Sequence, residues 1–324
     1  MKYYIGIDLG GTNIATGVFN ENYNTVKLHS RPTLASRGFG PIVADMADAA
    51  KTVIAEAGLT LDDFSSVGIG VPSGIDPKTH RVLYSNNLNW RDVPLIEEFN
   101  KYIDKPVYLA NDADSAAFGE YLAGVGKEFG SILMMTLGTG VGGGLIIDGN
   151  IFLGGDHSCF ELGHVTLVLD GVRCTCGRLG CIEAYASITG LIRETIEAIA
   201  ASPGTLMREI CGNDFRKVSG RTAFEAAKKG DEAAQAVVNK YAYYVASTIS
   251  SLDAVFRPNA VLIGGGVSNE GEYLIDPVRR MVAETIYGKG ILKSPEILKA
   301  SLGNLAGIIG AAFLEAQGHE HTID

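Results

Sequence analysis

The chain opens on an uncharged run, Tyr3-Tyr4-Ile5-Gly6-Ile7, that stops at Asp8-Leu9-Gly10-Gly11. A short apolar run closed by turn residues predicts a buried strand over Tyr3–Leu9. A second strand is expected over Ile14–Phe19 and a third near Thr25–Ser30. Pro41 opens a helix that Gly58 closes, following the preference for proline at helix starts and glycine at helix ends. Val67–Val71 reads as a strand ending at Pro72-Ser73-Gly74. A short amphipathic helix follows over Pro94–Ile103. Val107–Ala110 is a strand that runs into Asn111-Asp112, and Ala113–Leu122 is helical.

The pattern then restarts. Ser131–Thr136, a glycine turn and Gly144–Asp148 repeat the opening order of strand, turn and strand. A cysteine-bearing loop leads into a mainly helical stretch, Ala184–Phe256. Ala260–Ile263 is a strand ending in Gly264-Gly265-Gly266, and two helices flank a further strand near Glu296–Ser301. The repeat predicts a duplicated α/β unit. At 324 residues the chain exceeds the size at which one core stops growing. Two domains are expected: a smaller one over 1–117, joined by a C-terminal helix at about 305–324, and a larger one over 118–304 that carries the cysteine loop.

Phe129 to Ile147 carries no charge and is long enough to span a bilayer. Its centre, Gly138-Thr139-Gly140-Val141-Gly142-Gly143-Gly144, is too rich in glycine for a helix and suits a turn between strands. The opening enters a strand directly, so no signal peptide is expected. A net charge of −10 argues against a nucleic-acid or anionic-membrane surface. Five cysteines in a chain this long are not a disulfide framework. Their clustering points to a metal in a reducing compartment, the cytoplasm.

That cluster is the most specific chemical signal. His164 is followed by Cys174, Cys176 and Cys181, the ligand set of a tetrahedral Cys3His zinc site. His164 alone reads better as a core histidine; the three thiols change that reading. Glu161 and Glu183 bracket the set, so a pinned loop would also aim two carboxylates. Glu183 has a second reading, as an acid at a helix N-terminus. Cys159 and Cys211 are expected to be small core residues.

Three glycine turns offer backbone donors. In Asp8-Leu9-Gly10-Gly11-Thr12-Asn13 the glycines let N–H groups approach a phosphate, Thr12 and Asn13 add side-chain donors, and Asp8 suits a Mg²⁺ hydration shell. An ordinary hairpin capped by Asp8 is the other reading. Gly138-Thr139-Gly140 begins a second turn. It contains G-x-G-x-x-G, but a strand rather than a helix follows, which rejects a dinucleotide fold. Gly126-Lys127 is followed by Glu128, so no P-loop is present. Gly264-Gly265-Gly266 suits close packing on a flat ring such as adenine, or a helix cap.

Taken in order, D-L-G-G-T-N, L-G-T-G-V-G-G-G, E-L-G-H, C-T-C-G-R-L-G-C-I-E and I-G-G-G-V resemble the ROK sugar kinases over essentially the whole chain. The resemblance implies the actin-like ATPase (ribonuclease H-like) fold: an α/β protein of duplicated mixed-sheet units around an interdomain cleft. It implies a cytoplasmic, ATP-dependent hexokinase, most readily a glucokinase forming glucose 6-phosphate, with Mg²⁺ on the nucleotide, a structural Zn²⁺ and a homodimeric assembly. N-acetylmannosamine, N-acetylglucosamine, fructose and allose are the alternative substrates.

Residue by residue, the resemblance makes Asp112 the general base, where an N-cap is the plain alternative and Asp114 the better cap candidate. It gives sugar contacts to Asn111, Asp112, Glu161, His164 and Glu183, and places Gly74 and Asn87 in the pocket. His164, Cys174, Cys176 and Cys181 become the zinc ligands. Asp8, Gly10, Gly11, Thr12, Asn13, Gly138, Thr139, Gly140, Gly264, Gly265 and Gly266 become the ATP-binding set. Phe160 and the Asn86-Asn87-Leu88 run depart from the family's commoner residues. No winged-helix segment precedes Met1-Lys2-Tyr3, which sets the expectation against the family's repressors. A non-catalytic sensor is the remaining rival, and Asp112 argues against it.

Overall fold

The structure, a computed structural model, describes residues 2–76, 78–155 and 160–318. The chain divides into two compact units. The first is Met1–Ile132, Gly144–Phe160 and Ser301–Asp324; the second is Leu133–Gly143 and Glu161–Ala300.

Elements run in the order β1 (Tyr3–Leu9), β2 (Asn13–Asn20), β3 (Thr25–Pro32), α1 (Phe39–Glu56), β4 (Val67–Val71), β5 (Gly74–Ile75), β6 (Val82–Ser85) and β7 (Trp90–Val93). Then come α2 (Leu95–Asn100), β8 (Val107–Asn111), α3 (Asp112–Ala123), β9 (Ser131–Leu137), β10 (Val141–Ile147) and β11 (Asn150–Ile151). The rest is α4 (Glu183–Ala186), α5 (Ile188–Ala201), α6 (Leu206–Ile210), α7 (Thr222–Lys228), α8 (Glu232–Phe256), β12 (Ala260–Gly264), α9 (Glu272–Thr285), β13 (Glu296–Lys299) and α10 (Leu305–Ala312).

Two five-stranded sheets form, ordered β3-β2-β1-β4-β8 and β11-β10-β9-β12-β13. The permutation is the same in both, which is the duplication expected from the repeated strand-turn-strand pattern. In the first, β1, β4 and β8 run parallel while β2 and β3 are antiparallel additions. In the second, β12 and β13 are parallel. Every residue of Val67–Val71 is buried, as a central parallel strand covered on both faces requires.

Helix α1 covers one face of the first sheet with Ile42, Val43, Met46, Ala50, Val53 and Ile54. It begins at Phe39, two residues before the proline expected to open it; a first turn needs no N–H from Pro41. Gly58 closes it at φ +72°. Helix α10 packs on the first sheet and on α3 through bare backbone. A methyl group added at Gly68 would lie 1.7 Å from the Ala311 carbonyl oxygen, and one at Gly310 would lie 1.7 Å from that of Ser115.

Helix α3 therefore belongs wholly to the first unit, and the division falls beyond the boundary expected at 117 because α3 is locked to α10. Residues 319–324 of the expected C-terminal helix lie outside the described residues.

The sequence pattern did not predict the three-stranded sheet β5-β6-β7. Its strands are too short to show alternation, and packing decides them: Trp90 is buried and meets Phe39 edge to face at 5.0 Å. β10 begins at Val141, so Gly142 and Gly143 lie in the strand rather than the turn. Among the described residues no helix is long and apolar enough to cross a membrane.

Candidate active site

In the first unit the candidate residues gather at the C-terminal ends of parallel strands, the edge where open α/β sheets hold ligands. Asp8 pairs in register with Gly70, and Gly70 with Ala110. The chain turns from β8 into α3 immediately beyond, at Asn111-Asp112. Asn111 is the helix cap, not Asp114. Its Oδ1 accepts from the N–H groups of Ala113 (2.8 Å) and Asp114 (3.4 Å), and its Nδ2 donates to the Ser73 carbonyl at 3.3 Å. Asp114 is instead fully buried inside α3.

Asp112 Oδ1 accepts from the Ala113 N–H at 2.9 Å, at the positive end of the helix. Asn111 thus carries the capping duty and leaves Asp112 as the acid of the pair. Burial, and then the charge of Asp112, push Asp8 up to about 7. The two carboxylates therefore feel each other.

Ser73 ties the neighbouring pieces together. Its hydroxyl bonds the Gly74 and Tyr84 carbonyls at 2.8 and 2.7 Å, fixing Gly74 at the start of the small sheet. Asn87 lies against Gly11, where an added methyl would meet its Cβ at 3.1 Å. The turn itself is held by Gly10 N–H on the Asn13 carbonyl (2.9 Å) and by Thr33, whose N–H and hydroxyl bond the Thr12 and Gly10 carbonyls. Thr12 and Asn13 stay exposed at its tip. Asp8, Gly10–Asn13, Gly74, Asn87, Asn111 and Asp112 are thus brought together. Ser73, their brace, was not singled out in the sequence; the Pro-Ser-Gly break after β4 was its signal.

In the second unit the other two glycine turns adjoin. Gly265 sits at φ +80°, and an added methyl would lie 2.5 Å from the Leu137 carbonyl oxygen, at the mouth of the Gly138–Gly140 turn. That turn is also tied to the start of α5: the Ile188 N–H donates to the Gly138 carbonyl at 2.8 Å and the Thr189 hydroxyl to the Thr139 carbonyl at 3.0 Å. Ser187 caps α5 through the Gly190 N–H. Gly138, Thr139, Gly140 and Gly264–Gly266 therefore form one backbone-rich patch beside a helix N-terminus, suited to an anion.

The Glu161-Leu162-Gly163-His164 segment is built from its two apolar members outward. Leu162 is buried against Gly143, and Gly163 fits where an added methyl would strike the Val141 carbonyl oxygen at 2.1 Å. Glu161 and His164 lie at either end of this short turn.

His164, Cys174, Cys176 and Cys181 present ligand atoms that all lie within 4.8 Å of one another. Cys176 Sγ and Cys181 Sγ are 3.7 Å apart, as are Cys174 Sγ and His164 Nδ1. A tetrahedron with Zn–S bonds of about 2.3 Å has S···S edges of about 3.8 Å, so the donor set fits zinc. Burial first, then the crowding of the neighbouring thiols, push Cys181 up to about 12. Burial also raises Cys174. At Cys176 burial acts upward too, but the Arg178 N–H and the other thiols outweigh it and lower the thiol. A cation is what would let all three ionise together. Cys211 is buried at the end of α6 and bonds the Arg208 carbonyl, outside this cluster. Cys159 lies outside the described residues.

Glu183 links the cysteine loop to the second glycine turn. Its Oε1 accepts from the Thr175 hydroxyl at 2.9 Å and faces Cys174 Sγ at 3.5 Å. Its Oε2 accepts from the Val141 N–H at 3.2 Å. Gly140 leaves room for it, since an added methyl would lie within 2.4 Å of that oxygen.

The fold is that of the actin-like ATPases, built on two copies of one sheet with glycine turns in each. The ROK family profile matches residues 4–317, and the chain belongs to the ROK family. It is 33% identical to a glucokinase of Streptomyces coelicolor over 316 residues, 97% of this chain and 98% of that protein. An N-acetyl-D-glucosamine kinase of Aliivibrio salmonicida is 31% identical, covering 96% of this chain and 99% of that one. Among solved structures, a ROK family glucokinase from Streptomyces griseus in complex with glucose and AMPPNP superposes with a TM-score of 0.81 at 34% identity, covering 96% of this chain and 98% of that chain.

Proposed function

We propose that the protein is a glucokinase that transfers the γ-phosphoryl group of ATP to the 6-hydroxyl of glucose. As an enzyme it is a sugar kinase, and the glucokinase relatives along its whole length support glucose as the substrate. The observation that carries the mechanism is Asp112, presented at the ends of β4 and β8 with its neighbour Asn111 doing the capping.

Asp112 accepts the proton of the 6-hydroxyl as that oxygen attacks the γ-phosphorus. The bond to the β,γ-bridging oxygen breaks and ADP leaves. Phosphoryl transfer depends mainly on positioning and charge stabilisation, so one base and well-placed donors suffice on the protein side. Asn111, Gly74, Asn87, Glu161, His164 and Glu183 are proposed to hold the sugar. Gly10–Asn13, Gly138–Gly140 and Gly264–Gly266 are proposed to hold the nucleotide, with Asp8 toward the water shell of its Mg²⁺. Zn²⁺ on His164, Cys174, Cys176 and Cys181 would brace the loop that aims Glu183. With His164 Nδ1 turned to the thiols, Nε2 is the nitrogen left for a sugar hydroxyl. A homodimer is the assembly proposed.

The N-acetylglucosamine kinase relative supports that amino sugar as the second reading. A panel of glucose, N-acetylglucosamine, N-acetylmannosamine, fructose and allose with ATP and Mg²⁺, ranked by kcat/KM, decides between them. Glucose is expected first. N-acetylglucosamine in first place would establish the alternative, and no turnover with any of the five would overturn the kinase reading.

A further inference from the structure

The residue between the first two thiols of the cluster has a task of its own. Thr175 stands between Cys174 and Cys176, on a turn fixed by the Cys174 N–H to the Arg178 carbonyl (2.9 Å) and the Gly177 N–H to the Cys174 carbonyl (3.0 Å). Its hydroxyl reaches Glu183 Oε1 at 2.9 Å. The opposite oxygen of the same carboxylate takes the Val141 N–H at 3.2 Å. Two donors on two oxygens fix both the direction and the plane of the carboxylate; the Val141 N–H alone would leave it free to turn.

Among the described residues Cys174 Sγ also faces Oε1, at 3.5 Å, and lies 3.9 Å from the Thr175 hydroxyl. At 2.9 Å the Thr175 hydroxyl is the closer of the two, and it is the donor that holds Oε1. We propose that Thr175 is a positioning residue for the reaction: it aims the Glu183 carboxylate at the sugar and so converts the rigidity of the cysteine loop into sugar affinity. This rests on the reading that Glu183 contacts the hexose. Thr175 is exposed, so removing its hydroxyl opens no cavity and strands no buried polar group. A purely structural part in the loop would therefore leave sugar binding unmoved.

The test compares Thr175→Val, which keeps the shape and loses the donor, with Thr175→Ser, which keeps the donor. Both are made in the full-length, zinc-loaded protein. Bound zinc, Tm, kcat and the KM values for glucose and ATP are measured on each. The expected result for Thr175→Val is a glucose KM raised about three- to tenfold. Its kcat should stay within about twofold of wild type, with bound zinc and Tm unchanged. Thr175→Ser should restore the wild-type KM. An active wild type whose glucose KM does not move in Thr175→Val overturns the inference alone. So does a Thr175→Ser variant as impaired as the valine, or a valine variant that has lost its zinc. A wild type that phosphorylates no hexose overturns the kinase reading and takes this inference with it.

Discussion

At the end of β1 the chain reads Asp8-Leu9-Gly10-Gly11-Thr12; at the matching end of β9 it reads Thr136-Leu137-Gly138-Thr139-Gly140. Both turns join the first and second strands of a five-stranded sheet with the same order. Both penultimate residues, Asp8 and Thr136, are half-buried before a fully buried leucine. The first copy carries a carboxylate where the second carries a hydroxyl.

The first sheet keeps its acids on the framework: Asp8 on a strand and Asp112 at a strand-to-helix junction, with α3 and α10 locked backbone to backbone behind them. The second sheet offers neutral turns, and its acids stand at the two ends of the cysteine-bearing segment: Glu161 before a single short turn, Glu183 at the first position of the four-residue helix α4. Regular structure fixes the first pair. Glu183, on a single helical turn, depends on local pins as well, namely the Thr175 hydroxyl and the Val141 N–H beside the cysteine cluster. One scaffold can thus hold charge in two ways, and the two differ in how they fail.

The sharpest way to break that contrast is Asp112→Asn. If Asp112 is the base, kcat falls by about 10² to 10⁴ while Tm and glucose affinity hold, because the amide still fits the helix start. Steady-state kinetics decide it, and near-normal turnover would remove the assignment.

Next is the pH dependence of the framework acid. Burial and Asp112 raise Asp8 from 3.8 to about 7. The folded protein therefore holds a proton that the unfolded chain has already shed. That stabilising contribution is complete below about pH 4 and is lost as the pH rises to about 7. Its size is on the order of 4 kcal/mol. Asp8→Asn should lack this fall, so the variant gains on wild type between those pH values and is the more stable above them. Urea midpoints measured across the range check it; parallel curves would contradict it.

Gly310→Ala tests the backing of the first sheet, since the new methyl would meet the Ser115 carbonyl oxygen at 1.7 Å. Stability should drop by about 3 kcal/mol, read from denaturant unfolding.

The mildest expected effect probes the loop. Cys176 is exposed, so Cys176→Ser would remove one donor of the proposed zinc set without hollowing the core. Bound zinc measured by elemental analysis should fall, and glucose KM should rise about tenfold as Glu183 loses its aim. Unchanged zinc and KM would show that Glu183 needs no cluster.

The same contrast governs what was legible beforehand. The long buried strands β1, β4, β8, β9 and β12 were readable because apolar runs closed by glycine or Asn-Asp allow little else. The cysteine cluster was readable from ligand type and spacing. The small sheet β5-β6-β7 was not, because strands this short take their pairing from neighbours such as Phe39 and Trp90. The cap at the start of α3 was not either: Asn111, Asp112 and Asp114 are all acceptable caps by type, and only the Ser73 carbonyl at 3.3 Å and the burial of Asp114 separate their tasks. The return of the C-terminal helix to the first unit was expected, but the place of the boundary was not, because the small residues of α10 show how closely they lock α3 only in the fold.

The sequence by itself determined the duplicated α/β plan, the three glycine turns and the metal-type cluster, because each follows from local pattern, backbone freedom or ligand chemistry within a few residues. Tertiary structure alone decided that Asn111 caps α3 while Asp114 is buried, how Asp8 is raised, and that Glu183 is held between Thr175 and Val141. Those outcomes depend on burial and on hydrogen bonds between residues distant in the chain, and such contacts leave no periodicity to read.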